Sequence, residues 1–367
     1  MTNGKIKHVF PGGNTPQGFF SYYDYIIPTD ATRIFIIKGG PGVGKSTFMK
    51  KIGDEMLKRN YDVEFHHCSS DNNSLDGITI PALQIAFIDG TAPHIVDPKN
   101  PGCVDEILHL GDFWNESKMV KNKPQIMACT QEIGRSFRRA YHVLRAAKAI
   151  YDDWEVANGE ALNYAIANKK ATEIITDIFA GIDTTGAGKI RKLFASAITP
   201  DGPVNHLESI IDTMTRQYII SGAPGTGKAT LLQKIVDTAI IKGLNVEAYY
   251  CPLDPLKVEH ILIPSCNIAI TTSSPPHTYG KPATMFIDMN DCLNPNILAN
   301  YSEIIVYDKT TFWALFNKAV SYLNNAKNLH DELETYFVPN MDFDAIQNLW
   351  EKTLRRVLLY AESKNNS

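Results

Sequence analysis

The chain has 367 residues, 36 Lys and Arg against 40 Asp and Glu, a formal net charge of −4, and 44% apolar residues. That length allows two or three domains, each with its own core, and mixed charge without a basic stripe argues against nucleic acid as the primary partner. No long apolar run or N-terminal signal segment stands out, and six cysteines lack paired spacing, so the expectation is a soluble, cytoplasmic chain with reduced thiols and no membrane contact.

From the N-terminus, the aromatic run Phe19-Phe20-Ser21-Tyr22-Tyr23-Asp24-Tyr25 suits either stacking on a nucleotide base or helix packing. Ile34-Phe35-Ile36-Ile37 then reads as a buried strand that ends at Gly39-Gly40-Pro41-Gly42-Val43-Gly44-Lys45-Ser46 and Thr47. Phe48, Met49, Ile52, Met56 and Leu57 follow at helical spacing. A glycine-rich loop between a strand and a helix is built for phosphate. Glycines let successive backbone N–H groups point inward at the positive helix terminus, the lysine adds a point cation, and the hydroxyl after it ligates Mg²⁺.

A second strand, Val63 to His66, leads to Asp71, which reads either as an acid beside the terminal phosphate or an acceptor, or as a cap in the turn-forming Asp71-Asn72-Asn73-Ser74. His66-His67-Cys68 resembles a metal-binding run, but a small buried thiol explains it as well. The acid that such a loop needs at a neighbouring strand end is Asp89, after Ile85-Ala86-Phe87-Ile88, or else Asp105, after Val104. His94 is a candidate base or phosphate contact, with packing as the alternative. Arg33, Arg138 and Arg139 suit charge-stabilising fingers or solvated positions.

Ile126, Cys129, Ile133, Phe137, Ala140, Leu144, Ala147 and Tyr151 recur every three or four residues and predict one long helix over about 122 to 155, with a second over about 160 to 180. Glycines and prolines between Gly181 and Pro203, with Thr184 and Thr185, mark a boundary.

Beyond it the chain repeats. At an offset of 183 residues, Arg33 to His94 falls on Arg216 to His277 without a gap and with about a third of positions identical. Cys68 meets Cys251, Asp71 meets Asp254, Asp76 meets Glu259, Pro81 meets Pro264, and the second loop reads Gly222-Ala223-Pro224-Gly225-Thr226-Gly227-Lys228-Ala229 followed by Thr230. Its strand is Tyr218-Ile219-Ile220, preceded by Arg216, and its second strand runs from Val246 to Tyr249. This half has Ala229 for the loop hydroxyl and Thr272 for Asp89, while Asp288 would match Asp105 and Tyr249-Tyr250-Cys251 replaces the histidines. Thr230, one place late, does not restore the hydroxyl. At a slightly shorter offset Ala140, Leu144, Lys148, Asp152 and Glu155 fall on Ala319, Leu323, Lys327, Asp331 and Glu334, so helices are expected over about 302 to 336 and 342 to 363, with the strand-like Ile304-Ile305-Val306-Tyr307-Asp308 inside the first.

The motifs Phe10-Pro11-Gly12-Gly13-Asn14-Thr15, the first loop, His67-Cys68-Ser69-Ser70-Asp71 through Ser74-Leu75-Asp76-Gly77, Asp89-Gly90-Thr91-Ala92-Pro93-His94 and Phe194-Ala195-Ser196-Ala197 resemble an uncharacterised bacterial family of tandem P-loop ATPases over essentially the whole chain. The resemblance implies an ATP-binding fold with no established substrate; Ala229 departs from the family pattern and puts Mg²⁺-dependent turnover at the second loop in doubt.

The expectation is therefore α/β: two tandem P-loop NTPase domains, 1–188 and 189–367, each a parallel sheet flanked by helices with a C-terminal helical hairpin, packed as an internal pseudo-dimer. ATP would be held by Gly39, Gly40, Pro41, Gly42, Val43, Gly44, Lys45, Ser46 and Thr47, and less firmly by Gly222, Gly225, Thr226, Gly227, Lys228 and Thr230. Lys45, Asp89 and Asp71 would carry the chemistry and Ser46 and Asp89 the Mg²⁺. Hydrolysis, phosphoryl transfer to a small molecule, and nucleotide-gated binding of a protein through the appended helices all remain open.

Overall fold

The computed structural model describes residues 3–184 and 186–365; Thr185, in the expected boundary, lies outside them. In chain order the elements are β1 (Ile6–Val9), β2 (Gly12–Thr15), β3 (Gly18–Ser21), β4 (Arg33–Lys38), α1 (Lys45–Lys58), β5 (Val63–Cys68), β6 (Asp71–Ile80), β7 (Ile85–Asp89), β8 (Asp105–His109), α2 (Glu116–Lys121), α3 (Lys123–Glu160) and α4 (Tyr164–Ile178). The second half continues with β9 (Ile190–Leu193), β10 (Ser196–Thr199), β11 (Gly202–Asn205), α5 (Leu207–Ile211), β12 (Arg216–Ser221), α6 (Lys228–Ile241), β13 (Val246–Cys251), β14 (Asp254–Ile263), β15 (Ile268–Thr272), β16 (Met285–Asp288), α7 (Pro295–Ala299), α8 (Ser302–Phe337) and α9 (Phe343–Asn365).

The protein is α/β, with two six-stranded sheets flanked by helices among the described residues. The first has the order β1-β5-β6-β7-β4-β8 and the second, β16-β12-β15-β14-β13-β9, is the same order met from its other edge. The repeat in the sequence is thus a repeat of topology.

Both sheets are mixed rather than parallel. β6 runs antiparallel to β5 and β7, and β14 antiparallel to β13 and β15. The cause is connection length: only Ser69 and Ser70 lie between β5 and β6, and only Pro252 and Leu253 between β13 and β14. Two residues close a hairpin, whereas a parallel neighbour needs a crossover of a dozen or more. The β6–β7 link is equally tight, a single turn over Pro81–Leu83 followed by Gln84 in the left-handed region at φ 53, matched by Pro264–Cys266 and Asn267 at φ 58.

The loop strands β4 and β12 lie inside each sheet between parallel neighbours. Phe35, Ile36 and Ile37 are buried, as are Tyr218, Ile219 and Ile220, so these strands carry near-continuous apolar runs. Phe48, Met49, Ile52 and Met56 bury one face of α1. The strand-like run Ile304–Asp308 is helical, inside α8. No helix among the described residues is long and apolar enough to cross a membrane.

Contacts gather the chain into two compact units that do not follow the two halves of the repeat. One comprises Met1–Gly13, Ser21–Arg138 and Tyr322–Ser367; the other comprises Asn14–Phe20 and Arg139–Ser321. The first sheet therefore shares its unit with the end of α8 and with α9, elements of the second half. Leu333, Phe337, Ile346, Val357 and Ala361 belong to the same buried cluster as Phe35, Phe48 and Phe87. Reciprocally, the second sheet shares its unit with the end of α3 and with α4.

Candidate functional site

The first glycine-rich loop leaves the carboxyl end of β4 and enters α1 through Gly44, whose φ of 90° favours glycine. The Lys45 ammonium lies back over the loop and donates to the carbonyls of Gly40 (2.8 Å) and Gly39 (3.1 Å). Asp89 closes β7 in register with Ile37, and its carboxylate stands 3.6 Å from the Lys45 ammonium. It also accepts from the Thr91 N–H at 2.9 Å. The Ser46 hydroxyl, in the first turn of α1, accepts from the Leu75 N–H at 3.0 Å. A helix N-terminus, an ammonium, a hydroxyl and a carboxylate thus meet at one sheet end, a donor set that suits an oxyanion together with a hard cation. Val43 is buried with its side chain against Gly39 of the same loop, and Thr47 is exposed.

The sheet adds an acid that sequence reasoning did not place here. β6 pairs with β7 through Gly77 opposite Ile88, and one further step along that register brings Asp76 beside Asp89. Burial raises the Asp76 pKa; His94 opposes the shift and Asp89 adds to it. The His94 ring stacks on Tyr23 at 4.7 Å, and its Nε2 lies 3.7 Å from Asp76 Oδ1. The available signal was the repeat: an acid recurs here in both halves, shortly before the buried aliphatic residues Ile78, Ile80, Ile261 and Ile263.

The same loop carries a cover from the far end of the chain. A β-carbon on Gly40 would stand 2.6 Å from the Phe337 ring, and one on Gly42 would stand 2.8 Å from Val338 and 3.3 Å from Glu334. The turn between α8 and α9 is held there by backbone hydrogen bonds, Asn115 N–H to Asn340 O and Asp342 N–H to Phe113 O, each 2.8 Å.

The second loop has the same frame with other chemistry. The Lys228 ammonium donates to the carbonyls of Gly222 and Ala223, each at 2.7 Å. Burial pushes its pKa down to about 8, against the pull of Glu155 and Glu259. Thr226 spends its hydroxyl on the Ala223 carbonyl (2.8 Å), and Thr230 is exposed. Thr272 ends β15 where Asp89 ends β7. Glu259, the counterpart of Asp76, comes opposite Thr272 when the β14–β15 register is continued by one step. Burial acts to raise its pKa, but His260, His277 and Lys228 outweigh that and hold it low. The cover here is Glu155 of α3, whose carbonyl oxygen would stand 2.1 Å from a β-carbon on Gly225.

Other expected residues are placed less centrally. Asp71 opens β6 at the same sheet end, but its carboxylate already takes the Asn73 N–H (3.1 Å), the Ser74 hydroxyl (3.0 Å) and, at 3.5 Å, the Lys327 ammonium. Asp105 is not the alternative acid: β8 runs parallel to β4 and begins with Asp105 opposite Ile34, at the end remote from the loop. There it caps a turn, accepting from the Lys99 N–H at 2.9 Å. Nor does Asp288 match it. Asp288 stands opposite Ser221 at the loop end, the place taken in the first half by His109 opposite Lys38, because the offset has already shortened by this point. Arg33 and Arg216 begin their strands and are engaged there, Arg33 by Glu106 (2.6 Å) and Arg216 by the Tyr218 hydroxyl (2.6 Å). Six-residue strands put them about 17 Å from the loops. His67 lies 2.8 Å from His8, and burial drives its pKa to about 4. His277 is likewise depressed by burial.

Comparison with protein-family models, with curated proteins and with solved structures finds no match for this chain.

Proposed function

We propose that this is a nucleotide-binding protein of the P-loop NTPase class, and that its first glycine-rich loop binds ATP with Mg²⁺ and hydrolyses it. The observation that carries the reading is the convergence of Lys45 and Asp89, 3.6 Å apart at the carboxyl ends of adjacent parallel strands, with Ser46 on the following helix turn. In this reading the backbone N–H groups from Gly42 to Ser46 cradle the phosphates and Lys45 exchanges its own loop carbonyls for the terminal phosphate oxygens. Ser46 and Asp89 are hard oxygen donors of the kind Mg²⁺ takes, and the cation would neutralise charge on the phosphates. The second loop, with Lys228 but without the loop hydroxyl or the strand-end acid, binds nucleotide without comparable turnover and serves a regulatory or structural role. Adenine, the resemblance to tandem P-loop ATPases and a cytoplasmic setting belong to the same proposal.

A second reading has an observation of its own. Phe337 and Val338 lie on Gly40 and Gly42, so a nucleotide that moves the loop also moves the α8–α9 turn, as a nucleotide-gated protein-binding module requires. Phosphoryl transfer to a small molecule is the remaining alternative.

The test is phosphate release from MgATP without any acceptor, for the wild type beside Lys45→Ala, Lys228→Ala, Ser46→Ala and Ala229→Ser. Turnover lost with Lys45→Ala and Ser46→Ala but retained in Lys228→Ala supports an ATPase driven by the first loop. Equal activity in all five proteins would sink the asymmetry. Binding without release points instead to a kinase that needs its acceptor or to the gated module.

A further inference from the structure

Phe343, the first residue of α9, lies at the rim of the first loop with 45% of its surface exposed. A β-carbon on Gly44 would stand in van der Waals contact with its ring, at 3.7 Å. Contacts then advance together along α1 and α9: the Lys51 ammonium donates to the Gln347 side-chain carbonyl at 3.0 Å and lies 6.0 Å from the centre of the Trp350 ring. Residues four apart share a helix face, so one turn back toward the loop those faces carry the exposed Thr47 and Phe343. The second unit repeats the arrangement. Tyr164 is the first residue of α4, at the shortened offset that sets Ala140 on Ala319, and is 67% exposed. Leu162, two residues before it, would stand 4.0 Å from a β-carbon on Gly227. One turn beyond Tyr164, the Lys234 ammonium donates to the Asn168 side-chain carbonyl at 3.3 Å, as Lys51 does to Gln347. A single exposed aromatic is ordinary, but the same exposed aromatic at the same place in both halves, each time beside the helix that a phosphate loop enters, points to a ligand.

We propose that Phe343 is the base-binding residue of the first loop, stacking its ring on the base of a nucleotide whose phosphates the loop holds, and that Tyr164 is its counterpart at the second loop. This rests on the reading of the loops as nucleotide sites. In that reading Lys45 takes the terminal phosphate and the N–H groups at the start of α1 take the phosphates nearer the ribose, so the nucleoside leaves the loop along the first turn of α1, the side on which Phe343 stands. Every base has an apolar π-face, which an exposed ring covers without reading its hydrogen-bonding edge. The stack favours purines over pyrimidines through the area of overlap and does not by itself tell adenine from guanine.

The experiment uses the full chain carrying Lys228→Ala, so that the first loop is read alone. A non-hydrolysable ATP analogue and inorganic triphosphate, which has no base, are each titrated with Mg²⁺ by calorimetry into this parent and into its Phe343→Leu and Phe343→Tyr variants. Loss of one base stack weakens binding by roughly 5- to 150-fold. Phe343→Leu, which keeps apolar bulk but no ring, is therefore expected to bind the analogue at least about fivefold more weakly while its affinity for triphosphate changes by less than about twofold. Phe343→Tyr, which copies the residue of the second half, is expected to hold the analogue within about twofold of the parent, and its contrast with Phe343→Leu carries the test if triphosphate binds too weakly to measure. A smaller loss of analogue affinity in Phe343→Leu overturns the proposal while leaving the nucleotide reading intact. So does a parallel loss of both ligands, which would make Phe343 a support of the loop, or a Phe343→Tyr protein as weak as Phe343→Leu. A parent that binds neither ligand overturns the nucleotide reading and this proposal together. Tyr164→Leu in Lys45→Ala protein is the matching test at the second loop, and an unchanged analogue affinity there overturns the counterpart.

Discussion

The Lys327 ammonium lies 3.5 Å from the Asp71 carboxylate, although the two residues come from opposite halves of the repeat. The second unit contains the mirror of this pair, Lys148 with Asp254, also at 3.5 Å. Each lysine is also bonded to an acid one helical turn on, Asp331 and Asp152. The same three residues, one lysine and two aspartates, therefore tie each sheet's β-hairpin to a helix supplied by the other half.

That arrangement predicts coupling between residues far apart in sequence. Lys327 and Asp71 are each about a quarter exposed, at 24% and 23%, so the pair is worth only about 0.5–1 kcal/mol. A double-mutant cycle on Lys327→Ala and Asp71→Ala in urea unfolding is expected to give a coupling of that size. Strictly additive effects would show that the pair contributes nothing.

The close approach at Gly225 predicts a localised sensitivity. Gly225 and Gly202 both have left-handed φ, 79° and 97°, but only Gly225 would drive a β-carbon into the Glu155 backbone; nothing stands within 4 Å of one on Gly202. Gly202→Ala should cost about 1 kcal/mol from backbone strain alone, and Gly225→Ala clearly more, about 3 kcal/mol or above, because α3 must shift. Thermal melts of the two variants decide the matter, and equal losses would mean that α3 yields without cost.

Lys228 predicts a pH effect with a definite sign. Its pKa is pushed down to about 8 by burial, so the free loop loses its cation as pH rises through 8. Binding a polyphosphate then requires taking up a proton, and affinity should fall by up to about tenfold per pH unit above 8. In Lys45→Ala protein, where the second loop is read alone, titration of the ATP analogue at pH 7, 8 and 9 should show this decline. A flat profile would contradict it.

At the far end of the first sheet, Glu106 accepts from both Arg356 (2.6 Å) and Arg33 (2.6 Å). Hydrogen bonding to Arg356, ahead of its opposing burial, holds the Glu106 pKa below the usual carboxylate range. A depressed carboxyl contributes stability that is fully present above the unfolded value of about 4.3 and lost as pH falls through the folded value. Glu106→Gln is expected to cost about 1–3 kcal/mol at pH 7, with a gap to wild type that narrows on acidification below pH 4. Denaturant midpoints at pH 7 and pH 3.5 provide the check; an undiminished gap would assign the effect to packing.

The sequence alone determined the two loops, their strands and helices, the duplication and the long appended helices, because these rest on local rules: glycine before a helix, apolar runs, and three-to-four-residue spacing. It also offered Asp89, with Asp105 as the alternative. The same local rules could not decide between Asp89 and Asp105, since both read as acids beside an apolar residue. Only pairing showed that one ends its strand beside the loop while the other begins its strand at the opposite end. Ser69 and Ser70 already implied a hairpin, and the parallel sheet expected from the loop motif overlooked that short connection.

Tertiary structure alone decided which helices serve which loop. Helical periodicity specifies that α3 and α8 each bury an apolar stripe, yet it carries no information on which sheet receives it, and both halves offer similar surfaces because they are repeats. The choice depends on complementarity over many contacts at once, here Phe337 on Gly40 in one unit and Glu155 on Gly225 in the other. For the same reason Asp76 was only a repeated acid in the sequence. Strand register, a relation between residues distant along the chain, is what set it beside Asp89.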